Sequence, residues 1–243
     1  MGISGGVFVD ARTEQIAANL AAVRERIATA CRNAGREPES VTLVAVTKTY
    51  PAEDVARLAE LGVRDVGENR DQEAAPKAAA VPGVRWHFVG QLQRNKARSV
   101  AGYADVVHSV DSLRLVEALS DAAARAERDT PLGALVQVSL DDDEHRGGAL
   151  TGQVEKVAEA ITASPHLRLL GVMAVAPLDW TPDEAFGRLA AMSARIRQRF
   201  SGAHGEPDWI SAGMSDDLES AILHGSTHVR VGSALLGKRT PLG

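Results

Sequence analysis

The sequence has 243 residues, of which 44% are hydrophobic and 24% are charged, and this apolar share is enough to bury a sizeable core. The 27 Lys and Arg residues against 32 Asp and Glu residues give a formal net charge of -5, which argues against sequence-independent binding of nucleic acid. A single cysteine excludes a disulfide framework, no apolar run reaches the roughly 18 residues of a membrane span, and we expect a soluble cytoplasmic protein.

The first predicted element is a helix. Apolar residues recur at spacings of three and four from Ile16 to Ile27, after a cap at Asp10 or Thr13, and Gly35 is a suitable stop. The first nine residues precede this helix, and we expect them to be flexible.

From position 41 onward, eight short apolar runs alternate with helical patterns. The predicted strands are residues 41–47, 63–67, 84–89, 105–109, 134–139, 169–175, 209–211 and 228–232. Eight such units without a Pro/Gly/Ser-rich linker predict an α/β fold, a single (β/α)8 TIM barrel domain over residues 1–243 with an extra N-terminal helix. A doubly wound open sheet is the alternative, and it is disfavoured because no G-x-G-x-x-G follows the first strand.

The first predicted strand ends in a lysine. In a TIM barrel the functional residues follow the carboxyl ends of the strands, so Lys48 would face the mouth of the barrel. Partial desolvation there would lower the pKa of its ammonium group and leave an amine able to form a Schiff base with an aldehyde. A lysine that simply leaves the strand for solvent is an equally open interpretation.

Small residues follow the last two predicted strands. Ser211 opens one such segment, and Gly232 with Ser233 opens a short helix after the eighth strand. Many barrels bind phosphate between these two loops. Because Asp216 and Asp217 follow the first segment and would repel a phosphate, we expect Gly232 and Ser233 to lie nearest to the anion. The alternative is that these small residues only form turns and bind no anion.

Arg230 alternates with valines in the last predicted strand and should therefore point into the barrel. A buried arginine needs a partner, and a salt bridge with an acid such as Glu68 is the structural alternative to a ligand. An aldehyde-trapping lysine, a phosphate turn and an inward arginine together suggest pyridoxal 5′-phosphate (PLP), which carries an aldehyde, a phosphate and a ring nitrogen.

Five segments of the sequence resemble the pyridoxal phosphate homeostasis proteins, the YggS/PROSC family. They are AVTK at 45–48, GENR at 67–70, WHFVGQLQRNK at 86–96, SAGMSDD at 211–217 and VRVG at 229–232. They occur in the family's order along most of the chain, and the HFxGxLQxNK string is the most specific. The resemblance implies a single barrel, related to the amino-terminal domain of alanine racemases, that holds PLP as an internal aldimine.

By motif position, the resemblance assigns Lys48 to the aldimine, Arg230 to the pyridine nitrogen and Asn69 to the side of the ring. The implied phosphate cradle consists of Ser211, Gly232 and Ser233. The sequence departs from the family at Ala212, where a methionine is common, and in the loop 141–148. The acidic run 141–144 resembles a solvated loop, and no metal site is expected.

The predicted function depends on the chemistry of Arg230. Arg230 will not give a proton to the ring nitrogen, so it supports carbanion chemistry only moderately, and we expect no carboxy-terminal domain to supply a second base. We expect a monomeric, non-enzymatic PLP-binding protein that acts in PLP and amino-acid homeostasis, with PLP-dependent apoenzymes as candidate partners. A PLP-dependent amino-acid racemase is the main alternative. A Schiff-base aldolase for a sugar phosphate and a partner-binding protein with a vestigial site also stay open.

Overall fold

A computed structural model describes residues 10–143, 145–202 and 206–237, so the predicted flexibility of residues 1–9 lies outside the described residues. The described strands are β1 (Thr42–Val46), β2 (Asp65–Glu68), β3 (Arg85–Phe88), β4 (Val106–Val110), β5 (Leu132–Ser139), β6 (Ala149–Leu150), β7 (Leu167–Met173), β8 (Trp209–Ser211) and β9 (His228–Val231). Eight of them close a parallel ring in the order β1-β2-β3-β4-β5-β7-β8-β9, while the short β6 pairs with β5 beside it. The predicted (β/α)8 barrel is confirmed.

Helices alternate with these strands and cover the outside of the ring. They are α1 (Ala11–Asn33), α2 (Ala52–Glu60), α3 (Asp71–Ala80), α4 (Ala97–Tyr103), α5 (Leu113–Arg125), α6 (Val154–Ala163), α7 (Pro182–Phe200), α8 (Leu218–Leu223) and α9 (Ser233–Leu236). None of the described helices combines the length and the apolarity that crossing a bilayer requires. The main core lies between the ring and the helices.

The extra helix α1 begins at the predicted cap. The carboxylate of Asp10 accepts hydrogen bonds from the backbone N–H groups of Arg12 and Thr13, at 2.9 and 3.1 Å. The apolar face of α1 packs on α8 and α9, and Asn19 Nδ2 donates to the carbonyl of Leu235 at 2.9 Å. The helix thus ties the end of the barrel to its beginning.

The predicted strands all overlap barrel strands, and their bounds differ by at most two residues at either end. Strand β5 begins at Leu132, two residues before the predicted start. The prediction began the strand after Gly133 because glycine is a poor strand former. The structure gives a packing reason for this glycine: a Cβ there would lie 2.7 Å from Leu170 Cδ1.

The interior of the ring has an apolar half and a polar half. The apolar half consists of Val106, Leu135, Leu170 and Met173. The polar half consists of Asp65, His87, His108, Ser211, His228 and Arg230, which are linked by hydrogen bonds or ring contacts. All six occupy inward positions of parallel strands, where alternate side chains share one face.

His228 is buried in the polar half, where its ring stacks on Trp209 with the centroids 3.8 Å apart. Burial, together with the charge of Arg85, lowers the pKa of His228 to about 3, and Asp65 opposes this shift only in part. The folded barrel therefore holds His228 neutral at pH values where an unfolded chain protonates it.

We predict that the free energy of unfolding falls as the pH decreases from 6.5 towards about 3. In this window the unfolded chain binds a proton that folded His228 does not, which costs up to ~1.4 kcal/mol per pH unit. The variant His228→Phe keeps the stacking on Trp209 and should show a smaller slope in urea denaturation across this range. The exposed His166→Gln variant is the control, and equal slopes for wild type and His228→Phe would contradict the prediction.

Candidate functional site

A cavity of about 260 Å³ opens at the carboxyl end of the barrel. It is lined by Val46, Lys48, Thr49, Tyr50, Gly232, Ser233 and Gly237. Alternation along β1 turns Val46 and Lys48 toward the axis and Thr47 away from it. The structure therefore brings three predicted site residues, Lys48, Gly232 and Ser233, into one cavity.

The side chain of Lys48 is exposed at this mouth, so the expected partial desolvation of the lysine is wrong for the protein by itself. The next residue, Thr49, has a φ of 69°, a left-handed conformation that is unusual for a β-branched residue. Its N–H donates to Glu73 Oε2 at 2.7 Å, which stabilises the turn. An accessible amine on a fixed turn can reach a carbonyl carbon in the cavity.

A buried cluster supports the end of β1 from outside the ring. Glu68 Oε1 accepts hydrogen bonds from Thr47 Oγ1 and Lys77 Nζ, each at 2.6 Å, and Lys77 Nζ also donates to the carbonyl of Thr47 at 2.9 Å. The salt bridge between Arg230 and Glu68, considered from the sequence, is therefore wrong, because Glu68 faces the helices. Removing one partner of such a buried pair typically costs several kcal/mol, about 3–5.

The loops after β8 and β9 meet beside the lysine. A Cβ on Gly232 would lie 3.1 Å from the carbonyl oxygen of Val46, so this position favours a residue without a side chain. Ser215 Oγ lies 3.5 Å from Ser233 Oγ. The first-turn N–H groups of a helix have no intrahelical partners, so the start of α9 and the two hydroxyls present donors to an anion.

Ser215 is a site residue that the sequence interpretation set aside because of the acids after it. The carboxylate of Asp217 is not free to face the phosphate cradle, because its Oδ1 accepts a hydrogen bond from the N–H of Met214 at 2.6 Å. This hydrogen bond depends on the loop conformation and could not be predicted from the sequence. The position of Ser215, directly after a small-residue segment at a strand exit, was the available signal.

Ser211 does not lie in the phosphate cradle, to which the family resemblance assigns it. It is fully buried inside the ring, where its Oγ is 2.7 Å from Arg230 Nη1 and 2.9 Å from His108 Nδ1. The physical reason is the alternation along β8, which points Ser211 at the barrel axis and leaves the loop beyond it to form the mouth.

Arg230 points into the barrel, as the alternation of β9 predicts. It donates to the carbonyl and the hydroxyl of Ser211, both at 2.7 Å, and to the carbonyl of Ala174 at 2.9 Å. Burial lowers the pKa of Arg230 to about 10, so the guanidinium stays charged near neutral pH and acts only as a donor.

The other residues that the sequence singled out lie around the site. Asn69 is half-buried at the end of β2, outside the set that lines the cavity. Tyr50 donates its phenol to the carbonyl of Gly237 at 2.6 Å and so closes α9 onto the rim. Ala212, where the sequence departs from the family, is buried in the core between ring and helices.

Asn95 and Lys96 lie in a short 3-10 turn (Arg94–Lys96), where Asn95 is exposed and Lys96 Nζ is 3.8 Å from Asp71 Oδ2. In the loop after β5, Arg146 Nη1 pairs with Asp141 Oδ2 at 2.6 Å. Within residues 10–143, 145–202 and 206–237, no group of three or more His, Cys, Asp or Glu side chains is arranged to hold a metal ion.

Comparison with known proteins gives the family context of this site. The family model described as alanine racemase, N-terminal domain, matches residues 18–240. The pyridoxal phosphate homeostasis protein of Mycobacterium tuberculosis is 48% identical over 247 residues, which cover 94% of this chain and 94% of that protein.

Two solved structures extend the comparison. The structure of PipY from Synechococcus elongatus with PLP bound superposes with a TM-score of 0.78 at 32% identity, covering 92% of this chain and 100% of that one. Alanine racemase from Streptomyces coelicolor superposes with a TM-score of 0.72 at 21% identity, covering 93% of this chain and 59% of that one. The second likeness concerns the fold alone.

Proposed function

The chain belongs to the alanine racemase N-terminal domain family and, within it, to the pyridoxal phosphate homeostasis proteins, and we propose that it binds PLP covalently through Lys48. It serves PLP and amino-acid homeostasis as a holder of the cofactor, without robust catalysis. The observation that carries this proposal is the shared cavity of Lys48, Gly232 and Ser233, with the inward Arg230 on the strand that leads to it.

The residues of this cavity fit the three polar parts of PLP. Ser215, Ser233 and the first turn of α9 present hydrogen-bond donors to the phosphate, and Gly232 lets the backbone approach closely. Ser215 replaces Ser211 in this set, because the hydroxyl of Ser211 faces Arg230.

The lysine and the arginine complete the fit. The aldehyde of PLP would supply an electrophilic carbon with which the amine of Lys48 can condense. Arg230 would donate a hydrogen bond to the ring nitrogen and would not protonate it, because the guanidinium does not release its proton. We propose that Asn69 lies at the side of the ring.

The same arrangement favours holding PLP over turning over amino acids. An unprotonated ring nitrogen is a weaker electron sink, and the phenol of Tyr50, which lines the cavity, donates its proton to the carbonyl of Gly237. We propose that the protein is cytoplasmic and monomeric and that PLP-dependent apoenzymes receive its cofactor. The alternative function is that of a PLP-dependent amino-acid racemase.

We predict that Lys48→Ala abolishes covalent attachment of PLP. The visible absorption band and the adduct trapped by borohydride should both disappear, because no other amine lines the cavity within the described residues. Weak noncovalent binding should survive, since the phosphate cradle is intact. Peptide mass spectrometry after borohydride treatment locates the adduct.

The matched control is Lys156→Ala, which removes an exposed lysine from α6 and should leave both signals unchanged. An adduct of the same mass in Lys48→Ala would contradict the assignment of the lysine. A wild-type protein without any visible band or adduct would contradict the proposed function itself.

We also predict that phosphate contacts set the affinity more than ring contacts do. Ser233→Asp places a carboxylate beside a dianionic phosphate, and the lost hydrogen bonds alone cost on the order of 1–3 kcal/mol. Ser233→Asp should therefore raise the Kd for PLP more than Arg230→Gln does, because Arg230 contacts the neutral ring nitrogen. Titration of the apoprotein, followed by the visible band, measures both constants.

Two controls separate charge from shape and phosphate from ring. Ser233→Ala removes the hydroxyl without adding charge and should weaken binding less than Ser233→Asp. Pyridoxal retains the aldehyde and the ring but lacks the phosphate, so it should bind more weakly than PLP. Near-equal affinities for pyridoxal and PLP, or the reverse ranking of Ser233→Asp and Arg230→Gln, would show that the ring anchors the ligand.

The racemase alternative is tested by assembly and turnover together. We predict that light scattering at micromolar concentration shows a monomer and that the PLP-loaded protein does not interconvert the enantiomers of alanine or serine, as followed by chiral chromatography. A stable dimer with measurable racemisation would replace the proposed role by the enzymatic one.

A further inference from the structure

A continuous line of hydrogen bonds crosses the polar half of the barrel. It runs through Arg230, Ser211, His108, His87 and Asp65, and we call these five side chains the interior relay. The successive distances are 2.7 Å from Arg230 Nη1 to Ser211 Oγ, 2.9 Å on to His108 Nδ1, 2.8 Å from His108 Nε2 to His87 Nδ1, and 2.9 Å from His87 Nε2 to Asp65 Oδ1.

The two ends of the interior relay determine the direction of every bond between them. Arg230 can only donate and the carboxylate of Asp65 can only accept. The carboxylate of Asp65 therefore accepts from His87 Nε2–H, which leaves Nδ1 of a neutral His87 as an acceptor for Nε2–H of His108. Nδ1 of a neutral His108 is then an acceptor as well, so the hydroxyl of Ser211 donates to it while its oxygen accepts from Arg230. With both rings neutral, any other tautomer would set two donors or two acceptors against each other.

The environment of the relay matches these assignments. Burial, together with the charge of Arg230, holds the pKa of His108 well below its usual range, so its ring carries the single proton that the relay requires. At the far end, burial opposes ionisation of Asp65, but the hydrogen bond from His87 and the positive charges nearby outweigh it and lower its pKa.

The relay also bears on how Arg230 is held. The other two hydrogen bonds of its guanidinium go to the backbone carbonyls of Ser211 and Ala174. The hydroxyl of Ser211 presents a lone pair to Arg230 reliably only while its own proton is directed at His108 Nδ1. Without that acceptor, the hydroxyl proton can turn toward the guanidinium and repel it.

We propose that His108 and His87, backed by Asp65, are positioning residues that act through Ser211 to hold Arg230 against the ring nitrogen of bound PLP. The proposal rests on the proposed function, since it concerns the same cofactor. It assigns a role to the histidine of the 86–96 segment, which has no direct contact with the cavity lining. Because the ring nitrogen belongs to the chromophore, its hydrogen bond affects the visible band.

The direction of the relay is testable in the apoprotein. Long-range 1H–15N NMR spectra of the histidine rings distinguish the two neutral tautomers. We expect both His87 and His108 to be neutral with the proton on Nε2. A proton on Nδ1 of either ring would overturn the relay, whether or not the protein binds PLP.

The positioning role is testable in the PLP-loaded protein. We expect His108→Phe and Ser211→Ala to keep the borohydride-trapped adduct at Lys48, to shift the visible band, and to raise the Kd for PLP about ten-fold. Met173→Leu, in the apolar half of the same interior, is the control for a general change in packing and should leave band and Kd unchanged. Folded relay variants with wild-type band and Kd would overturn the proposal.

Two further variants keep the test decisive if His108→Phe does not fold. Asp65→Asn retains an acceptor of the same shape and loses the charge, so it should shift the band in the same direction by a smaller amount. Arg85→Gln removes the ion pair of 3.3 Å with Asp65 but leaves the relay itself intact, and should not shift the band. Shifts of equal size and opposite direction in the two variants would assign the effect to net charge and overturn the positioning role. Absence of PLP binding in wild type would overturn the proposed function and, with it, this role, while the NMR spectra would still decide the direction of the relay.

Discussion

The parallel pairing of β1 with β9 is the contact on which the site depends. It sets Val44 opposite Arg230 and Ala45 opposite Val231. Because parallel strands end on the same side of a sheet, this register brings Val46 beside Gly232 where the two strands leave the ring, so Lys48 and Ser233 line the same cavity although they are far apart in the sequence. An open sheet would separate the first and last strands, so the cavity exists only because the ring closes.

The phosphate cradle is held in place by residues that lie outside it. A helix of four residues such as α9 has no stability of its own, since nucleating a helix costs more than one turn returns. Asn19 and Tyr50 hold its carboxyl end through the carbonyls of Leu235 and Gly237. Burial of Leu235 and Leu236 against α1 adds ~1.5–3 kcal/mol for each side chain. The extra N-terminal helix is thus part of the binding site in an energetic sense, although it does not line the cavity.

The ring, the order of its strands and the positions of Lys48, Gly232, Ser233 and Arg230 could be predicted from the sequence, because period-two alternation and strand exits are local properties. The partners of those residues could not. Glu68 was a reasonable partner for Arg230 until the structure showed it facing Lys77 on the other side of the strand. Strand β8 ends at Ser211 as predicted, but the roles of Ser211 and Ser215 depend on contacts with His108, Arg230 and Ser233, which are distant in the sequence.

The polar half of the barrel is costly in a way that argues for a ligand. A buried guanidinium held by carbonyls and a hydroxyl loses its hydration, and hydrogen bonds to neutral acceptors offset that loss only in part. Apolar side chains like those of the other half would fill the same space without this cost. A barrel selected for stability alone would therefore be apolar throughout. The arginine and the histidines behind it make sense as a donor kept ready at the mouth, whose remaining N–H groups are satisfied when an acceptor binds.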